Sequence, residues 1–229
     1  MLVVEPTPDS ASVLFGERLE LASAYANLLV TAGVERGLIG PRESDRIWTR
    51  HVLNCAALAE AFPLGARVVD VGSGAGLPGV AVAVARPDLQ IDLVEPLARR
   101  AQFLTEAIET LDLGGQVRVS RGRAEERSVR ESVGASEWVT ARAVAPLDRL
   151  VAWCLPLLRK GGQLVAMKGS QAAVEVAEHR AALSRLGASN VDVRECGVGV
   201  VDPAVIVVVV ECGSVSRRSS GSSRVKGKS

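Results

Sequence analysis

The feature that most constrains the fold is a short glycine-rich stretch between two apolar segments. DVGSGAG, residues 70–76, follows the apolar run ARVV and precedes LPGVAVAVA. An apolar run that leads into glycines and then into a helical segment predicts a strand, a tight turn and a helix N-terminus. In open α/β proteins such a turn forms the binding site of a nucleotide cofactor.

The chain after this point shows the alternation of strands and helices that such a site requires. Strands are predicted at ARVVDV, QIDLVE, QVRVSR, EWVTAR and GGQLVAMK, and helices at about 77–86, 97–111, 123–132, 146–158 and 170–186. Two further strands, NVDVRECGV and AVIVVVVEC, follow with little between them. Five strand–helix units and a hairpin predict an α/β fold: a Rossmann-like, seven-stranded, mainly parallel sheet whose last strand is antiparallel at or near an edge.

Two stretches with helical periodicity, at about 12–31 and 42–61, precede the first strand. We therefore divide the chain into a flexible N-terminus (1–11), an N-terminal helical extension (12–64), the main α/β domain (65–212) and a disordered basic tail (213–229). The tail holds five basic residues and no acidic one. It either attracts phosphate groups without sequence preference or has no role beyond solubility.

Charge and composition exclude several classes of protein. Without the five basic residues of the tail, the body has 22 basic and 26 acidic residues, so RNA contacts would need local basic patches. The four cysteines lack metal-ligand spacing, which predicts free thiols in a cytoplasmic protein and no metal. No apolar run in the chain reaches membrane-spanning length, and we expect the N-terminal sequence MLVVEPTPDS not to be a secretory signal. We expect no membrane partner, and a monomer by default.

The spacing of the glycines separates two kinds of cofactor. A dinucleotide fingerprint has glycines at its first, third and sixth positions, whereas Gly72, Gly74 and Gly76 are first, third and fifth. An acid followed by G-x-G-x-G instead resembles motif I of S-adenosyl-L-methionine-dependent methyltransferases, whose cofactor carries no phosphate. The cofactor-binding residues expected from this motif are Asp70, Gly72, Ser73, Gly74 and Gly76.

A second acid supports a nucleoside-containing cofactor. Glu95 ends the next predicted strand, 19 residues after Gly76. A carboxylate there can accept hydrogen bonds from both ribose hydroxyls. NAD would use the same acid, so Glu95 alone does not distinguish the two cofactors. The terminal hairpin does, because it is typical of methyltransferases.

Several segments together resemble one family. DVGSGAGLPGV, RHVLNC, LVEPLARRAQFL, GRAEE, ARAVAPLDRLVAWCLPLL and GGQLVAMKG are similar to RsmG (GidB) proteins, bacterial 16S rRNA (guanine-N7)-methyltransferases, over roughly residues 12–212. PRESDRIWTRHVLNC and VERGLIGP look similar to actinobacterial members. The resemblance implies methyl transfer to N7 of guanine 527 in the 530 loop, on 16S rRNA or the 30S subunit. It also implies that loss of activity alters sensitivity to aminoglycosides such as streptomycin.

The resemblance also implies roles for individual residues. Gly72 and Leu77 match positions that contact the cofactor, and Ala124 and Glu125 in GRAEE match the pair beside its adenine. Arg142 matches an arginine in the site, where it would contact the guanine O6, a phosphate or the cofactor carboxylate. The family often has serine where this chain has Ala141, so a hydroxyl is missing here.

Guanine N7 carries no proton, so its methylation needs alignment of the reactants rather than a general base. We assign catalytic roles to Arg142, His51 and Asn54. His51 and Asn54 share one helix face, and the resemblance implies that this helix covers the cofactor pocket. His51 would stack on the guanine, hydrogen-bond to it, or serve as a structural partner. The expected RNA contacts are Arg50, His51, Arg99, Arg123, Arg142 and Lys168.

Two alternatives remain open at this point. The acidic body is compatible with a methyltransferase that acts on a small molecule. A protein that binds S-adenosyl-L-methionine and associates with RNA without catalysis would keep the glycine turn but lose the alignment of N7. An adenine-N6 enzyme would usually show an N-P-P-Y-like motif after the fourth strand, where this chain has TARAVAP. A cytosine-C5 enzyme needs a cysteine nucleophile, and Cys154 in WCLP is expected to be core.

Overall fold

The computed structural model describes residues 4–142 and 145–213. The predicted disordered tail therefore lies outside the described residues, except for Gly213. Residues 1–3 and two residues of the ARAVAPL segment, Ala143 and Val144, lie outside them as well.

The chain begins with a set of short helical pieces rather than two long helices. Gly16 has a φ of +51°, a backbone conformation that ends the first helix at this residue. The pieces are α1 (Ser10–Phe15), a 3-10 turn (Gly16–Arg18), α2 (Leu19–Leu28), a π-type turn (Leu29–Gly33), a 3-10 segment (Pro41–Arg46), a second π-type segment (Ile47–Val52), α3 (Leu53–Ala57) and a 3-10 turn (Leu58–Ala61).

Residues expected to be flexible at the N-terminus make specific contacts. The Glu5 carboxylate accepts hydrogen bonds from the backbone N–H groups of Trp48, at 2.8 Å, and Thr49, at 3.1 Å. Ala11 is fully buried in the core. Glu5 therefore caps a helical segment and Ala11 packs in the core, although both precede residue 12.

A seven-stranded sheet forms the centre of the protein. Its strands are β1 (Arg67–Val71), β2 (Gln90–Glu95), β3 (Val117–Arg121), β4 (Ser136–Arg142), β5 (Leu158–Met167), β6 (Ala188–Cys196) and β7 (Val205–Cys212). They lie in the order β3-β2-β1-β4-β5-β7-β6, and β7 is antiparallel to both of its neighbours. The predicted α/β fold is confirmed, with the antiparallel strand one position in from the edge.

Helices connect the parallel strands and cover both faces of the sheet. They are α4 (Gly79–Ala85), α5 (Ala98–Thr110), α6 (Arg127–Val133), α7 (Leu147–Cys154) with a 3-10 turn (Leu155–Leu157), and α8 (Ala172–Leu186). The N-terminal pieces pack with α4 and α5 in one apolar core, and α6, α7 and α8 form a second core on the other face. Burial of both faces explains why β7 is an almost continuous run of valines.

A buried carboxylate holds the start of α4 against the end of β1. Asp70 is fully buried, and its Oδ2 atom accepts a hydrogen bond from the Gly79 backbone N–H at 3.0 Å. Burial raises the pKa of Asp70 to about 7. Asp70 was expected among the cofactor-binding residues. The structure places it beneath the glycine turn, where it positions the backbone.

Two kinds of feature were sought among the described residues: a membrane-spanning helix and a metal-binding cluster. Of the helices in 4–142 and 145–213, none combines the length and apolar character needed to cross a bilayer. In the same ranges, no three histidine, cysteine or acidic side chains are grouped to hold a metal ion. The four cysteines are buried free thiols.

The close packing at Gly79 gives a test of this arrangement. A Cβ atom there would lie 2.7 Å from Asp70 Oδ2 and would also overlap the buried Leu93 side chain. We expect Gly79→Ala to lower the free energy of unfolding by about 1–3 kcal/mol, as overpacking of a filled core does. Thermal melts would measure this as a fall in Tm of several degrees.

Gly115→Ala is the matched control, because a Cβ atom at Gly115 meets no atom within 4 Å. Its effect should stay within about 0.5 kcal/mol. Equal melting temperatures for the two variants would contradict the packing described at the start of α4.

Candidate functional site

Two cavities open at the carboxyl ends of the parallel strands, where open α/β folds bind ligands. The first cavity, of about 280 Å³, lies over β1, β2 and β3. It is lined by Val71, Gly72, Val94, Glu95, Pro96, Leu97, Arg100, Gly122, Arg123, Ala124, Glu125 and Trp153. The second cavity, of about 640 Å³, lies over β4, β5 and the start of β7. It is lined by Arg50, Asn54, Arg142, Met167, Lys168, Gly169, Ser170 and residues 203–206.

The glycine turn has the backbone geometry that its sequence predicts. Gly72, Gly74 and Gly76 have φ angles of +74°, +58° and +95°, in the left-handed region that favours glycine. The backbone N–H groups of Gly72 and Ser73 donate to the Val94 carbonyl at 2.8 and 3.2 Å, so the turn is tied to β2. The turn therefore presents backbone, with no side chain in the way, to the first cavity.

Residues of the turn other than Gly72 support its shape and do not line the first cavity. Ser73 is buried, and its hydroxyl donates to the Asp70 carbonyl at 3.0 Å. The Tyr25 hydroxyl of α2 donates to the Ala75 carbonyl at 2.9 Å, and a Cβ atom on Gly76 would lie 2.9 Å from that hydroxyl. Leu77 is buried before α4 and lines neither cavity.

Glu95 joins the glycine turn to the loop after β2. Its Oε2 atom accepts from the Gly74 N–H and its Oε1 atom from the Leu97 N–H, each at 2.9 Å. The residue is almost fully buried, yet it lines the first cavity. A carboxylate oxygen has two lone pairs, so each oxygen retains the capacity to accept one more hydrogen bond. A pair of neighbouring ribose hydroxyls fits this capacity.

The loop after β3 closes the first cavity on the side away from the glycine turn. Helix α6 begins at Arg127 rather than near Arg123, which leaves Arg123, Ala124 and Glu125 in an open loop against the cavity. The structure thus brings Gly72, Glu95, Ala124 and Glu125 together, as the sequence predicts. Arg123, which was expected to contact RNA, lines this first cavity. Arg99 is exposed on α5 and lines neither cavity.

Arg142 connects the end of β4 to the N-terminal helical segments. Its Nη1 atom donates to the Cys55 Sγ atom at 3.0 Å, and its Nη2 atom donates to the Arg50 carbonyl at 3.4 Å. The same Nη2 atom lies 2.8 Å from His51 Nδ1. These contacts join the RHVLNC and ARA segments at the wall of the second cavity.

The contacts of His51 define its protonation. A guanidinium only donates hydrogen bonds, so Nδ1 must accept from Arg142. Nε2 therefore carries the ring proton and donates to Glu43 Oε2 at 2.8 Å. Burial, and then the charge of Arg142, lower the pKa of His51. Both ring nitrogens are engaged within the protein, so in this structure His51 is a structural partner of Glu43 and Arg142 and offers no free ring nitrogen to a guanine.

Two other predicted residues line the second cavity. The Asn54 side chain is partly exposed there, and its Nδ2 atom lies 3.4 Å from the Arg50 carbonyl. Lys168 was expected to bind phosphate. Its Nζ atom instead donates to Glu175 Oε1 at 2.9 Å and to the Ala145 carbonyl at 3.1 Å, and its side chain is only 11 % exposed. With its charge paired to Glu175, Lys168 supports the wall of the cavity.

Three residues of the site are absent from the sequence-based expectations: Tyr25, Glu43 and Cys55. Tyr25 lies 50 residues from its partner, and Cys55 lies 87 residues from Arg142. Glu43 is eight residues before His51, beyond the spacing of three or four residues at which side chains on a helix contact each other. The sequence offers no local signal for these contacts.

Comparison with known proteins agrees with this geometry. The model of the GidB family, described as rRNA small subunit methyltransferase G, matches residues 18–202. A protein named ribosomal RNA small subunit methyltransferase G from Salinispora arenicola (strain CNS-205) is 61% identical, over 90% of this chain and 87% of the relative. One of the same name from Mycobacterium marinum (strain ATCC BAA-535 / M) is 54% identical, over 92% of each chain.

Solved structures share the fold at low sequence identity. The S-adenosylmethionine-dependent methyltransferase SibL, in its apo form, has a TM-score of 0.57 at 15% identity, over 90% of this chain and 70% of that one. Aeropyrum pernix fibrillarin, with natively bound S-adenosyl-L-methionine, has a TM-score of 0.51 at 17% identity, over 71% of this chain and 75% of that one.

These matches confirm the resemblance noted in the sequence. The family model covers most of the chain, and each of the two relatives is more than 50% identical to this chain over at least 90% of its length. The first cavity, with its glycine turn and buried Glu95, has the features that an adenosine-containing cofactor requires. The chain belongs to the GidB family, rRNA small subunit methyltransferase G, and its cofactor is S-adenosyl-L-methionine.

Proposed function

We propose that this chain methylates 16S rRNA at N7 of one guanine in the 530 loop. The observation that carries the proposal is the pair of neighbouring cavities at one edge of the sheet. The first suits an adenosine-containing cofactor, and the second presents the donors Arg50, Asn54 and Arg142. The curated relatives are named for small-subunit rRNA, which favours RNA over a small molecule as the methyl acceptor.

The residues of the first cavity fit the cofactor. We assign the ribose hydroxyls to the buried carboxylate of Glu95, and the adenine to the space between Leu97 and the Ala124–Glu125 loop. Gly72 lets the backbone approach the remaining part of the cofactor closely. When bound, S-adenosyl-L-methionine supplies an electrophilic methyl group on a positively charged sulfur.

The second cavity suits methylation at guanine N7. This nitrogen attacks through a lone pair in the ring plane and loses no proton, so no general base is needed. The site agrees with this requirement, because His51 is held neutral with both ring nitrogens engaged. The contribution of the protein is then to align the reactants and exclude water, which is worth up to about 7–11 kcal/mol in well-aligned systems.

Arg142 is best suited to hold the RNA. It lines the second cavity and not the first, which favours the guanine O6 or a phosphate oxygen over the cofactor carboxylate. Both candidate atoms accept hydrogen bonds from a guanidinium. Arg50 and Asn54 lie on the same wall and would contact the neighbouring RNA. We place the reaction in the cytoplasm, with 16S rRNA or the 30S subunit as partner.

The proposal is tested by methyl transfer from labelled S-adenosyl-L-methionine to 30S subunits and to 16S rRNA from a strain that lacks this protein. We expect one methyl group per RNA, at a guanine of the 530 loop, mapped by cleavage at 7-methylguanosine. Arg142→Met should reduce transfer strongly while cofactor binding is kept. Cofactor binding without transfer to either RNA would reject the proposal and favour a small-molecule acceptor.

The role of Glu95 is tested by cofactor affinity. Glu95→Ala removes an acceptor for ribose and frees the Gly74 N–H, so we expect a roughly tenfold to hundredfold weaker Kd for S-adenosyl-L-methionine, from about 1.5–3 kcal/mol per lost charged hydrogen bond. Calorimetric titration measures this. Glu109→Ala, on the exposed face of α5, is the control and should bind normally. Unchanged affinity in Glu95→Ala would place the cofactor elsewhere.

A further inference from the structure

We propose that Glu43 is a positioning residue for the RNA side of the site. Through His51, it holds the guanidinium of Arg142 at the wall of the second cavity. Glu43 lies in the 3-10 segment Pro41–Arg46, far in sequence from β4, and lines neither cavity. The inference rests on the proposed function, because it assigns to Arg142 the task of contacting RNA.

The three side chains form a directed chain of hydrogen bonds. Glu43 Oε2 lies 2.8 Å from His51 Nε2, and His51 Nδ1 lies 2.8 Å from Arg142 Nη2. A carboxylate only accepts and a guanidinium only donates, so the ring between them must carry its single proton on Nε2. The contact with Glu43 and the contact with Arg142 therefore require the same tautomer of His51, and the two contacts hold the ring from both sides.

Charged groups around His51 oppose one another. Glu43 favours the protonated ring, whereas Arg142 from β4 and Arg50 from the same helical segment disfavour it, as does burial. The hydrogen bond from His51 and the neighbouring Arg50 and Arg46 lower the pKa of Glu43, which keeps it ionised and able only to accept. Protonation of His51 at acidic pH would place an Nδ1–H against the Arg142 N–H groups and break that contact.

The consequence for Arg142 is a restricted position. Three of its five N–H groups have partners among the described residues: the Cys55 thiol, the Arg50 carbonyl and His51 Nδ1. A guanidinium held by three contacts reaches its substrate already oriented, which lowers the entropic cost of binding. Glu43 acts on this orientation through the ring, and its Oε2 atom also lies 3.4 Å from Arg50 Nε on the same wall. Its loss should therefore weaken RNA binding and leave the cofactor side unchanged.

The experiment compares Glu43→Ala, Glu43→Gln and Arg46→Gln. The glutamine amide oxygen can still accept from His51 Nε2–H. Arg46→Gln is the matched control, because Arg46 binds the other Glu43 oxygen, Oε1, at 3.2 Å on the exposed side. The measurements are Tm, Kd for S-adenosyl-L-methionine, KM for 30S subunits across pH, and the pKa of His51 by NMR. His179→Gln assigns the signals of the two histidines.

We expect Glu43→Ala to raise the KM for RNA roughly fivefold to tenfold, the size of one lost hydrogen bond, with Kd for the cofactor unchanged. Glu43→Gln should restore most of the affinity, and Arg46→Gln should match the wild type. In the wild type, KM should rise as pH falls through the pKa of His51. Glu43→Gln removes the charge that favours the protonated ring, so this rise should move to lower pH.

The pKa of His51 separates the inference from the proposed function. It should fall in Glu43→Gln and rise in Arg142→Gln, whether or not the wild type methylates RNA. An unchanged pKa in both variants, or a wild-type KM in Glu43→Ala, would overturn the inference. If Glu43→Ala fails to fold, Glu43→Gln still decides through the pKa. A wild type that transfers no methyl group to RNA would reject the proposed function alone.

Discussion

The glycine turn after β1 is the constraint on which the rest of the site depends. Three glycines with positive φ angles reverse the chain in a space that admits no side chain at Gly76. Three contacts hold the turn and its flanks: Asp70 binds the start of α4 from below, Glu95 binds Gly74 from β2, and Tyr25 binds Ala75 from α2. These contacts fix the backbone on both sides of Gly72, which lines the first cavity.

The N-terminal helical segments are a wall of the site rather than an appendage to the sheet. Tyr25 reaches the glycine turn beside the first cavity, and His51 and Cys55 reach Arg142 beside the second. All three contacts are buried or partly buried, where hydrogen bonds are worth more and are costly to lose. The N-terminal segments therefore support residues beside both cavities, which suits a reaction that depends on alignment.

Much of this fold follows from local sequence pattern. The strands around DVGSGAG and the position of Glu95 were predictable, because apolar runs and glycines report backbone geometry directly. The contacts of Asp70 and Lys168 were not predictable. The sequence pattern around a charged residue does not show whether its side chain faces a ligand or a partner within the protein, such as Gly79 or Glu175. The contacts of His51 with Glu43 and Arg142 join separate segments of the chain, so no residue spacing in the sequence predicts them.

The proposed chemistry requires that the first cavity hold the adenosine of the cofactor and direct its reactive end toward Arg142. A crystal structure with S-adenosylhomocysteine tests it most directly. We expect ribose hydroxyls hydrogen-bonded to Glu95, adenine beside Ala124 and Glu125, and the sulfur facing the second cavity. Adenine in the second cavity, or ribose hydroxyls beyond hydrogen-bond distance of Glu95, would contradict it.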